Sequence, residues 1–109
     1  MNLNTLAGEQ LVIAREAASG RSAHTVYGGR NHVLKQTLMA LAAGRSLNEH
    51  ESPGEATLQV LLGRVRLTTA TETWEGAASD YRHIPAERHG LTAVEDCVIL
   101  LTVANRPSS

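Results

Sequence analysis

The chain has 109 residues, 42% of them hydrophobic and only three aromatic, and a net charge of −1 from 10 basic and 11 acidic side chains. That is room for one domain with an aliphatic core. There is no basic run to draw the chain to nucleic acid or an anionic membrane, and no apolar run long enough to span a bilayer.

In chain order, the first ten residues (MNLNTLAGEQ) lack the charged and long apolar regions of a secretory signal. Leu6 to Ala18 has helical spacing, with Leu6, Leu11, Ile13 and Ala14 on one broad face, Thr5 as N-cap and Ser19-Gly20 as the stop. From Ala23 the period becomes that of strands. Ala23 to Tyr27 and His32 to Ala42 flank Gly28-Gly29, a hairpin signal. On the second of these, His32, Leu34, Gln36, Leu38 and Ala40 share one face, and Val33, Lys35, Thr37, Met39 and Leu41 the other. Short strands follow at Ser46 to His50, Thr57 to Leu62, Val65 to Thr69, Thr71 to Glu75, Tyr81 to Ile84, Gly90 to Val94 and Cys97 to Ala104. Turns fall at Ala43-Gly44-Arg45, Ser52-Pro53-Gly54, Gly63-Arg64, Gly76 to Asp80 and Glu95-Asp96. Many short strands with tight turns read as an all-β sandwich or closed barrel. The expected organisation is a helical extension over residues 1–20, a β-barrel over 21–105 and a polar tail over 106–109.

The single cysteine, Cys97, sits in an apolar run and reads as a buried thiol, which suits a reducing cytoplasm. The chain has no Gly-x-Ser-x-Gly elbow, no phosphate loop and no dinucleotide fingerprint. Trp74 reads as a packing anchor, and His24 and His83 as strand-surface residues.

Two stretches resemble the motifs of the cupin superfamily. The first has the form G-x5-H-x-H-x3-4-E-x6-G, and here Gly44, His50, Ser52, Ala56 and Gly63 keep every spacing. Ser52 stands where the second histidine would be, and Ala56 where the glutamate would be. The second has the form G-x5-P-x-G-x2-H-x3-N. Ser79 replaces its glycine, Pro85 keeps its place, Glu87 replaces the next glycine, and His89 comes one residue early. The resemblance implies a small jelly-roll barrel with a pocket at its mouth, and positive φ angles at Gly44 and Gly63.

Metal-holding cupins use three histidines and a carboxylate from these motifs, and this chain keeps two of the four, His50 and His89. A divalent transition metal needs several donors at once. The rescue ligands are His32, from the long strand, and Glu55, beside the empty carboxylate position, which alternation points to the other face unless a bulge intervenes. Without a metal, the imidazoles need hydrogen-bond partners, for which Ser52, Gln59 and Gln36 are the candidates.

Three readings of function follow. The resemblance implies first a small-molecule binder with His50, His89, Ser52, Gln36 and Gln59 lining the pocket. The second is an enzyme, either a metal-dependent oxygenase, isomerase or epimerase with a reduced ligand set, or a metal-free acid–base catalyst using His50 or His89. The third is an oligomerisation or regulatory module. A homodimer is expected, because the strand from Val33 to Leu41 is apolar on both faces and calls for a second subunit to cover it.

Overall fold

The computed structural model describes residues 1–50 and 54–105, with the side chains of all but 48–50 and 105. A helix, α1 (Leu3–Glu16), leads into β1 (Arg21–Tyr27), β2 (Leu34–Leu41), β3 (Ser46–His50), β4 (Gly54–Leu62), β5 (Arg64–Thr69), β6 (Thr73–Ala77), β7 (Tyr81–Ile84), β8 (His89–Ala93) and β9 (Cys97–Asn105). The strands form two antiparallel sheets that face each other, one ordered β1-β2-β9-β4-β7 and the other β3-β8-β5-β6. This is the expected all-β jelly roll with a short N-terminal helix. The predicted tail over 106–109 lies outside the described residues.

Strand alternation sorts each residue to one side of its sheet. On β2, Met39 and Leu41 face the space between the sheets, and on β9 so do Cys97 and Ile99, among the residues of the main core. Leu38 and Ala40 of β2 and Val98 of β9 face outward, where α1 covers them with Ala7 and Ala14. Both alanines are fully buried and seven residues apart, so the helix lies close against the sheet.

The helix starts three residues earlier than its apolar spacing predicts. The Asn2 side chain, rather than Thr5, is the cap, and its oxygen accepts from the Thr5 backbone N–H at 3.0 Å. The helix stops at Glu16, before Ser19-Gly20, and Ile13 is half exposed rather than on the buried face.

The turns obey local chemistry. Gly44 and Gly63 have φ of 82° and 75°, and a side chain at Gly63 would run into the Asp96 carbonyl. Ser79, at the position of a motif glycine, has φ of 77° and is the one non-glycine residue with positive φ among the described residues.

Two expectations are corrected. The long strand begins at Leu34 rather than His32, because residues 28–33 form the β1–β2 connection. Its outer face, the reason given for a second subunit, is already covered by α1 of the same chain.

Other expectations agree with the coordinates. His24 and His83 are exposed strand residues. Cys97 is a buried free thiol, pushed up to about 11 by desolvation and then by the neighbouring Asp96 charge. Trp74 packs on the main core, its ring folded over Gly76 and faced by the Arg82 guanidinium at 5.9 Å. No helix is long and apolar enough to cross a membrane.

Candidate functional site

One end of the space between the sheets is defined by chain connections. The segment from His50 to Gly54 joins β3 to β4 there, and that from Ile84 to His89 joins β7 to β8. At this end His89 of β8 is opposite His50 of β3 on one side and Thr69 of β5 on the other. The two histidines, far apart in the sequence, are therefore neighbours across a strand pair. A register shift between Leu47 and His50 is needed to bring them level.

His89 is 2% exposed and faces inward with Leu91 and Ala93 below it on the same strand. Its Nδ1 lies 3.0 Å from the Glu87 carbonyl oxygen. A carbonyl can only accept, so Nδ1 carries a proton. The Glu87 carboxylate in turn accepts from the Thr71 hydroxyl at 3.3 Å. The β5–β6 and β7–β8 connections are thus clasped together beside the imidazole.

The opposing wall is set by alternation on β2 and β9. Lys35, Thr37 and Met39 of β2 pair with Val103, Leu101 and Ile99 of β9. Met39, Leu101, Val103 and Leu47 of β3 pack on the core but stay partly exposed, unlike the fully buried Leu41, Ile99 and Leu58 deeper in. These inward positions are the ones that solvent partly reaches, and their side chains are apolar. Alternation alone could have found Lys35, Thr37 and Thr69; nothing in the motif spacing marks them.

The other residues expected at the site fall elsewhere. Ala56 is 3% exposed and its methyl packs with Leu58 and Val60, so the carboxylate position is filled by core. Glu55 and Gln59, one residue off that row, lie exposed on the outer face of β4. Gln36 shares the outer face with Leu38 and donates from Nε2 to the Thr102 hydroxyl at 3.3 Å. His32 is exposed in the β1–β2 connection, edge-on to the Tyr27 ring with centroids 5.3 Å apart. None of these four reaches the interior, because each sits on the wrong parity of its strand or off the strand altogether. Ser52 lies outside the described residues, as does the side chain of His50.

Among the described residues no group of three or more His, Cys, Asp or Glu side chains could hold an ion. By sequence the motif positions supply two imidazoles, a serine and an alanine. One partner of the described imidazole is the Glu87 backbone carbonyl, while Gln59 and Gln36 lie on outer faces.

No family model matches the chain, and no curated protein matches it. Solved structures do. A conserved protein of unknown function from Streptococcus pyogenes superposes with a TM-score of 0.75 at 28% identity, over 84% of this chain and 80% of that one. A cupin superfamily protein from Desulfitobacterium hafniense gives 0.69 at 17% identity, over 78% and 79%. A cupin-2 domain containing protein from Shewanella frigidimarina gives 0.70 at 16% identity, over 96% and 94%. The two facing sheets, the turn glycines at Gly44 and Gly63 and these likenesses together give the chain the cupin fold, the jelly-roll barrel of the cupin superfamily.

Proposed function

We propose that this protein binds a small organic molecule in the open end of the barrel, against His89 and the apolar wall of β2 and β9, without a resident metal ion. The observation that carries the reading is one buried, inward-facing imidazole with its tautomer set by the Glu87 carbonyl, placed among inward side chains that are apolar yet partly exposed. His50 is level with it on the neighbouring strand. An inward imidazole held at Nδ1 suits a binder and equally a metal-free acid–base catalyst.

The alternative is a metal-dependent cupin enzyme with a reduced ligand set. One feature favours it: an imidazole anchored through Nδ1 to a carbonyl is how ligating histidines are oriented. Metal analysis of untagged protein separates the two. The proposal expects substoichiometric metal that is unchanged in His89→Gln. Near-stoichiometric iron, manganese, zinc or nickel, lost in that variant while the fold persists by circular dichroism, would overturn it.

The proposal includes a homodimer and a reducing compartment such as the cytoplasm. Support for the dimer is β1, an edge strand of seven residues whose one charged side chain is Arg21, with exposed Tyr27, Val33 and Leu34 beside it. Light scattering is expected to return twice the chain mass at micromolar concentration, and a monomer there rejects it.

A further inference from the structure

Among the described side chains, the charged or titratable residues at inward strand positions are Arg21, Lys35, Arg82 and His89, with no aspartate or glutamate beside them. Of the strand carboxylates, Glu55 and Glu75 are on outer faces, and the side chain of Glu49 on β3 lies outside the described ones. This asymmetry does not follow from composition, since acidic residues slightly outnumber basic ones, 11 against 10.

The three inward cations do not have equal standing. Arg21 is level with Leu41 and Cys97, at the end of the sheets away from the mouth. Arg82 is held by the Glu72 carboxylate and lies over the Trp74 ring. Lys35 is at the mouth, level with Val103 and, through it, with Ala56. Below Lys35 on the same face come Thr37 and then Met39, so the wall passes from ammonium to hydroxyl to thioether as it descends. Glu87, the nearest acid to His89 along the chain, has its carboxylate engaged by Thr71.

We propose that the ligand is a small organic anion with an aliphatic body, a monocarboxylate or its equivalent, seated with its charge at the rim against Lys35 and Thr37 and its hydrocarbon against Met39, Leu101 and Val103. This rests on the pocket reading above and adds the sign and orientation of what enters. A carboxylate at the rim keeps partial contact with water and gains a charge-assisted bond, while the body leaves water for the apolar wall. Among the described side chains, a cationic ligand would meet no carboxylate at an inward strand position.

The test uses three six-carbon probes that differ in their head group: hexanoate, 1-hexanol and hexylamine. Each is titrated into the full chain and followed by amide chemical shifts of Thr37, Thr69, Leu101 and Val103. Hexanoate is expected to bind roughly tenfold or more tighter than 1-hexanol, and hexylamine weakest. Lys35→Met is expected to erase the hexanoate advantage while leaving 1-hexanol binding as it was, which also reports that the barrel is intact. Equal binding of hexanoate and 1-hexanol overturns the anion proposal and leaves the pocket standing. A preference for hexylamine overturns it likewise. No shift at these amides with any probe at millimolar concentration sinks both the anion proposal and the pocket.

Discussion

Ser79 holds a backbone conformation that costs an L-residue about 1 kcal/mol, and it holds it because the chain must turn between β6 and β7. Its N–H donates to the Val60 carbonyl at 2.8 Å, and Asp80 next to it accepts from the Ala77 N–H, so the turn is fastened on both sides. Ser79→Gly is expected to raise the unfolding midpoint slightly, by a stability gain of about 0.5 kcal/mol or less once glycine's greater unfolded-state freedom is deducted. Thermal denaturation measures it, and a lowered midpoint would show that the serine side chain matters more than the strain. The motif spacing made this turn legible, because a glycine-type position can be seen even when the glycine is absent. It did not make the site equally legible. Spacing singles out His89, which faces inward, whereas Gln36 and Gln59 face outward because a one-residue change of parity moves a side chain to the outer surface, and Glu55 follows its alternation outward with no bulge to turn it.

At the scale of elements, α1 is fastened to the barrel in two ways. Its small face, Ala7 and Ala14, fits over Leu38, Ala40 and Val98. Near its end, Arg15 bonds through Nε to Asp96 at 2.7 Å, and the other oxygen of that carboxylate accepts from the Ala43 N–H at 2.7 Å. These contacts hold the Asp96 carboxyl below its ordinary value of 3.8, the Ala43 N–H most and Arg15 next. A carboxyl lowered in the folded state adds stability that is complete above the unfolded value and fades as pH falls through it toward the folded one. Asp96→Asn should therefore flatten the loss of stability below about pH 4 while changing little at pH 7 beyond the lost ion pair. A variant whose acid unfolding curve overlays the parent's would reject this. Ala14→Leu should cost about 1–3 kcal/mol by wedging helix from sheet, with probe binding in the barrel preserved because the contact is on the opposite side of β2 and β9. Denaturant unfolding checks the first part, and amide shifts the second. The helix itself was legible from its period, but not its start, since Asn2 precedes the apolar pattern that announces a helix. The outer cover it provides was not legible at all: β2 is apolar on both faces, and sequence alone does not say whether the second cover comes from the same chain or another.

For the whole molecule, the strand that does most to join its parts comes last. β9 lies between β2 and β4 in the larger sheet, pairing with Leu34 to Leu41 on one side and with Gly54 to Leu62 on the other. It gives Ile99 to the interior and Val98 to the helix contact. The register along it is legible in outline from its apolar run, whereas its central place depends on a crossover that no local pattern encodes. During synthesis, everything N-terminal to Cys97 must wait on the ribosome without its middle strand, with α1 formed early and nothing yet complete to rest upon. A nascent chain arrested before Cys97 should be cut readily by protease, while one extended until Asn105 has cleared the exit tunnel should resist. Equal resistance of the two would mean that the barrel can close without its final strand.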